Sequence, residues 1–87
     1  MDTAASRGVV RTIEEVASEV KGVDHIEKCL VRKSGYEYLV DMHVQVDPQM
    51  TVANAHKIAH DVKDHVRHKV PEVKDVLIHI EPSSGSN

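Results

Sequence analysis

A strict alternation of side-chain type over residues 36–46 is the feature that most constrains the fold of this chain. The even positions are apolar and the odd positions are mostly polar; the even set is Tyr36, Tyr38, Val40, Met42, Val44 and Val46. Successive side chains of a strand point to opposite faces, so this pattern predicts a strand that packs its even face on a core. His43 then lies on the opposite face of the sheet.

The first third of the chain carries a helix signal followed by a second strand signal. Apolar residues at helical spacing predict a helix over about residues 7–21, with Gly22 as its stop; they are Val9, Ile13, Val16, Ala17 and Val20. Residues 25–33 predict a strand whose mixed parity indicates a bulge or burial on both faces. Ser34-Gly35 then marks a turn between the two strands.

The second half predicts a long helix and a final strand. Thr51 is a suitable helix N-cap and Pro71 ends the helix, whose apolar face comprises Val52, Ala55, Ile58, Ala59, Val62 and Val66. The last strand runs from about residue 74 to 81. The order of elements predicts an α+β fold, an αββαβ two-layer sandwich with a three-stranded sheet and two helices on one face.

The domain prediction follows from these boundaries. Residues 1–6 are interpreted as a linker, residues 7–82 as the folded domain and residues 83–87 as a disordered tail. With 87 residues the chain is one small domain with a modest core, so a partner chain or a metal would help to stabilise it.

Composition excludes several classes of function. A net charge of −3 and only two aromatic residues argue against a nucleic-acid partner. Cys29 is the only cysteine, so neither an intramolecular disulfide nor a thiolate metal cluster is expected. An enzyme is not predicted, because Cys29 has no evident activating base and no glycine-rich phosphate loop is present. No apolar run is long enough to insert into a membrane.

The seven histidines provide the strongest indication of chemistry. His79 and Glu81 are two residues apart on a predicted strand, so both point to one face of the sheet, which is also the predicted face of His43. Imidazole with carboxylate is a ligand set for zinc, iron or manganese. The alternative is a group of ordinary polar residues on a solvated sheet face.

The long helix carries a second set of histidines. His56 and His60 are four residues apart, a spacing that allows two imidazoles to chelate one ion. A solvated polar face is the alternative, and it is the preferred interpretation of His68. We expect His65 to be partly packed and His25 to be a surface residue.

Five segments, in the right order, resemble the cytoplasmic domain of cation diffusion facilitators, a family of cation efflux transporters. They are Gly22-Val23, Val31-Arg32-Lys33-Ser34-Gly35, Val40-Asp41-Met42-His43-Val44, Ala55-His56-Lys57-Ile58-Ala59 and Val76-Leu77-Ile78-His79-Ile80-Glu81-Pro82. The resemblance implies a ferredoxin-like or metallochaperone-like domain that forms a homodimer at the cytoplasmic face of a membrane, next to the transmembrane domain of the same transporter.

The resemblance also implies a set of metal ligands. His43, His56 and His79 match ligand positions of the family, and Glu81 lies where members often carry Asp. Glu27 lies where some members carry His, and His60 has no counterpart. Zinc is the first candidate for the metal, while iron, manganese, cobalt, nickel and cadmium remain open.

The predicted function is therefore regulatory. The domain would homodimerise and bind a divalent metal, with zinc preferred, at or near the dimer interface to modulate transport. Two alternatives remain open at this point: a constitutive structural dimerisation module with incidental histidines, and a stand-alone cytosolic metal carrier.

Overall fold

Six elements of secondary structure occur within residues 3–84, which are the residues that the computed structural model describes. In chain order they are β1 (Thr3–Ala4), α1 (Arg7–Ser18), β2 (His25–Ser34), β3 (Glu37–Val46), α2 (Val52–Lys69) and β4 (Val73–Pro82). The α+β prediction is confirmed. None of the described helices is both long and apolar enough to cross a bilayer.

The prediction of a three-stranded sheet is wrong, because β1 adds a fourth strand. The strands are ordered β1-β2-β3-β4, and Thr3 pairs with Lys33 while Ala4 pairs with Arg32. Part of the range interpreted as a linker is thus hydrogen-bonded to the sheet. Two residues are too few to show a period of two, so only the otherwise unpaired edge of β2 reveals this strand.

The remaining pairings follow the predicted order of elements. β2 and β3 form an antiparallel hairpin, whereas β3 and β4 are parallel. A parallel pair needs a crossover connection, and α2 provides it. In the predicted tail, Ser83 donates its N–H to the carbonyl oxygen of Val46 at 2.7 Å. Residues 85–87 of that tail lie outside the described residues.

One hydrophobic core lies between the sheet and the two helices. The even face of β3 contributes to it from Val40 to Val46, with at most 4% exposure at each even position. The helices contribute five buried residues: Ile13 and Ala17 from α1, and Ile58, Val62 and Val66 from α2. Burying one such aliphatic side chain contributes about 1.5–3 kcal/mol. The helices therefore cover the even face and leave the odd face open.

Two predicted core residues are instead exposed. Tyr36 is 94% exposed because it lies in the hairpin turn before β3, and Val52 is 87% exposed at the first position of α2. A periodic sequence pattern can continue to the last residue of a strand or helix, whereas burial stops where the opposite layer no longer covers that element.

Hydrogen bonds at the helix ends fix the helices in place. The predicted cap at Thr51 is present, since its Oγ1 accepts the N–H of Asn54 at 3.1 Å. α1 ends at Ser18, three residues before the predicted end. The chain beyond it turns through Gly22, whose φ of +99° is a conformation that favours glycine.

Candidate metal centre

The candidate site lies on the open face of the sheet, away from both helices. His43 in β3 is in register with His79 in β4, and because these strands are parallel their side chains project side by side. The two imidazole rings stack with centroids 4.5 Å apart and planes inclined by 26°. The structure thus brings together two of the histidines that the sequence predicted as ligands.

Asp41 joins these histidines in a first cluster of possible ligands. One donor atom from each of Asp41, His43 and His79 lies within 4.8 Å of the others, and the Oδ1 atom of Asp41 is 3.1 Å from Nε2 of His79. Asp41 was not among the ligands predicted from the sequence. Its position two residues before His43 on an alternating strand was the signal that could have identified it.

Glu81 and Glu27 join His43 in a second cluster. The carboxylate Oε2 of Glu81 is 2.6 Å from Nδ1 of His43, and one donor atom of each of the three residues lies within 4.8 Å of the others. His43 is therefore shared by both clusters. It is the centre of the candidate site.

A β-bulge lies at Glu27 in β2. Ile26 pairs with Val44 and Lys28 pairs with His43, so Glu27 is the extra residue between two consecutive pairings. The mixed parity of this strand had predicted either a bulge or burial on both faces, and the bulge is what the structure contains. Alternation from the buried Ile26 places Glu27 on the open face, and the bulge lets Lys28 pair with His43 on that face as well.

The electrostatic character of the site is acidic. Three carboxylates, from Glu27, Asp41 and Glu81, surround two imidazoles, and the side chains of His43 and Glu81 are 28% and 34% exposed. The hydrogen bond with His43 holds the pKa of the Glu81 carboxyl below its usual range. Nitrogen and oxygen donors in this combination suit zinc and also the harder ions manganese and iron. The residues present therefore fit a divalent cation.

His56 and His60 lie elsewhere. They are exposed on α2, with their Nε2 atoms 3.1 Å apart. Within the described residues, neither belongs to a cluster of three or more possible ligands. The structure thus does not bring His56 to His43 and His79 within one chain, and the placement of His56 as a ligand beside them remains a prediction.

The other histidines have no ligand cluster around them in the described part of the chain. His65 is partly packed, as expected, with its Nε2 2.7 Å from the Oε1 atom of Glu19 in α1. His25 and His68 are exposed. These two exposed histidines are therefore suitable controls for experiments on the candidate site.

Comparison with known proteins identifies relatives that handle metals. Metal tolerance protein C1 of Arabidopsis thaliana is 30% identical over 83 residues, which is 95% of this chain and 18% of that protein. The chain spans between 18% and 28% of the length of eight curated relatives that it matches. Its sequence therefore matches one part of those proteins.

Solved structures of the C-terminal domain of MamM, a magnetosome protein of Magnetospirillum gryphiswaldense, have the same fold. A cadmium form of a variant of that domain is 28% identical, with a TM-score of 0.87 over 90% of this chain and 98% of that one. A nickel form of another variant is also 28% identical, with a TM-score of 0.88 over 91% of this chain and 100% of that one.

The family itself is identified by a match over nearly the whole domain. The sequence model described as "cation efflux protein, cytoplasmic domain" matches residues 6–83. This range includes both helices, the three long strands and every member of the two ligand clusters. The chain thus belongs to the family of cytoplasmic domains of cation efflux proteins.

Proposed function

We propose that this chain is the metal-sensing, homodimer-forming domain of a divalent-cation efflux transporter, and that metal at or near the dimer interface modulates transport. The observation that carries the proposal is the position of His43. It lies between two groups of ligand atoms, one with Asp41 and His79 and the other with Glu27 and Glu81. The cadmium and nickel forms of the similar MamM domain support a role in metal binding.

The same face of the sheet carries the surface proposed for dimerisation. Asp41 pairs with Leu30 on one side and Leu77 on the other, and these leucines are 54% and 57% exposed. Together with Leu39 they line a mostly apolar groove that Asp41 also borders. Exposed apolar surface of this kind favours burial against another chain. A second copy seated here would place the ligand clusters at or near the interface.

Metal would act on the dimer through charge. Each copy presents the carboxylates of Glu27, Asp41 and Glu81 on the open face, and these carboxylates repel one another when two copies bring them together. A divalent cation between them offsets that repulsion. It shifts the dimer towards a closed arrangement only to the extent that it binds the closed arrangement more tightly than the open one.

We propose zinc as the metal, because mixed imidazole and carboxylate ligands are common in zinc sites. The mixed nitrogen and oxygen ligands exclude none of iron, manganese, cobalt, nickel and cadmium, so a panel of these ions belongs in the same experiment. Protons compete with metal for imidazole, and we expect the affinity to fall below about pH 6.

Isothermal titration calorimetry with zinc tests the site. We expect the variant His43→Ala/His79→Ala to lose one zinc-binding component that the wild type shows. The matched control His25→Ala/His68→Ala removes two exposed histidines and should retain it. If both double variants bind zinc like the wild type, the proposed site is rejected.

A constitutive structural dimer is the second candidate function, because the exposure of Leu30 and Leu77 favours pairing with or without metal. Small-angle scattering of the wild type, with zinc and then with chelator, separates the two functions. A dimer that becomes more compact with zinc supports sensing. An equally compact dimer in both conditions supports the structural module and contradicts metal regulation.

A further inference from the structure

A pair of histidines on α2 has the geometry of a chelate. His56 and His60 are one helical turn apart, and their Nε2 atoms are 3.1 Å from each other. The ring centroids are 4.6 Å apart and the ring planes are nearly perpendicular, at 76°. Both side chains are exposed, so an ion reaches them from solvent without any rearrangement of the core.

The distance between the two nitrogens matches the separation of two ligands on one metal ion. With metal–nitrogen bonds of about 2.0–2.1 Å, two ligands of a tetrahedral ion lie about 3.3 Å apart and adjacent ligands of an octahedral ion about 2.9 Å apart. The observed 3.1 Å falls between these values. The one-turn separation on α2 therefore lets the two side chains place their nitrogens at the spacing that an ion requires.

The surroundings of the pair differ from those of the sheet site. The two basic side chains nearest in sequence are engaged: Nζ of Lys57 lies 2.8 Å from Asp61, and Nζ of Lys63 lies 3.1 Å from Asp75. Their positive charges are thus partly offset by carboxylates. Ala59 and Ile78 border the same depression, and neither brings an oxygen ligand from its side chain.

We propose that His56 and His60 form a second cation site, separate from the sheet clusters and complete within one protomer. Two imidazoles without a carboxylate should bind copper(II), nickel and zinc more tightly than manganese, which prefers oxygen ligands. This preference follows the general order of affinities of divalent metals. In the absence of metal, one ring donates its Nε2 proton to the other Nε2. On binding metal, the donating ring carries its proton on Nδ1, and both Nε2 lone pairs face the ion. This inference does not rest on the proposed function of the sheet site.

Calorimetry with nickel in the His43→Ala/His79→Ala background tests this site alone. We expect one nickel ion per chain, with the same affinity at several chain concentrations, and no comparable binding of manganese. Adding His60→Ala should abolish the nickel signal because it leaves a single imidazole. His68→Ala, which removes an exposed histidine from the same helix, should leave the signal unchanged.

Three results would overturn the proposal: nickel binding that survives His60→Ala, nickel binding that His68→Ala reduces equally, or no nickel binding in the background variant. Far-UV circular dichroism of each variant checks that α2 remains folded, and His60→Gln provides a polar replacement if alanine alters the helix. Because the background lacks both sheet histidines, failure here leaves the test of the sheet site unaffected.

Discussion

Replacing Gly22 by alanine should destabilise the protein, whereas replacing Gly8 by alanine should stabilise it. Gly22 has a φ of +99°, and a Cβ atom added there would lie 2.5 Å from Cδ1 of Ile58. Gly8 lies within α1, and a Cβ atom added there would have no neighbour within 4 Å. The same methyl group therefore meets a core side chain at one position and open space at the other.

The magnitudes follow from these two environments. A residue with a Cβ atom pays roughly 1–2 kcal/mol in a left-handed conformation. Moving Ile58, which is 8% exposed, away from its rotamer adds roughly 0.5–1.5 kcal/mol. Gly22→Ala should thus lower the free energy of unfolding by about 1.5–3.5 kcal/mol. Gly8→Ala should raise it by about 0.5 kcal/mol through its effect on the unfolded chain.

Urea denaturation at one fixed protein concentration, with chelator present, measures both changes. A double-mutant cycle with Ile58→Val tests the cause, because valine lacks the Cδ1 atom that an added Cβ would meet. In the wild type this substitution should cost about 0.5–1.5 kcal/mol, and in the Gly22→Ala background it should cost about 1 kcal/mol less. Equal costs in both backgrounds, or a Gly22→Ala variant as stable as the wild type, would refute the reasoning.

Three further predictions concern reactivity, packing and pH. Burial raises the pKa of the Cys29 thiol to about 12, so a thiol-specific reagent at pH 8 should modify it much more slowly in the folded protein than in urea. Val62→Ala, at a fully buried position of α2, should lower the free energy of unfolding by about 2–3 kcal/mol. Val52→Ala, at an 87% exposed position of the same helix, should change it by less than about 0.5 kcal/mol. Chemical denaturation measures both changes, and equal effects would contradict the assigned core. The hydrogen bond with His43 lowers the pKa of Glu81, so the ionised carboxylate stabilises the fold above the pKa of the unfolded state, and this contribution is lost as pH falls through the pKa of the folded state. The stability difference between the wild type and Glu81→Gln should therefore shrink below about pH 4. A difference that grows there would reverse the assigned sign.

The sequence was informative wherever a long periodic segment coincided with an element. Alternation along β3 predicted both its buried face and the open face that carries His43. The helical period and the cap at Thr51 predicted α2 well, since each rests on local spacing. In contrast, β1 and the early end of α1 depend on strand pairing and on turn hydrogen bonds, which leave no repeating pattern in the sequence.

The candidate site shows the same division. Parity alone predicted that His43, His79 and Glu81 share one face. It did not predict that His43 and His79 are directly adjacent, because that depends on the register of two strands separated by α2. It also did not identify Asp41, and it gave no relation between His56 and the sheet.

What the sequence by itself determined is which side chains face which way along each element, because the repeat of a strand or helix is a property of its own backbone. What only the tertiary structure decided is which of those side chains meet: the parallel register joins His43 to His79, and the pairing of β2 with β3 brings Glu27 beside them. Distances between elements depend on how the layers pack around the core, and no local pattern in the chain encodes them.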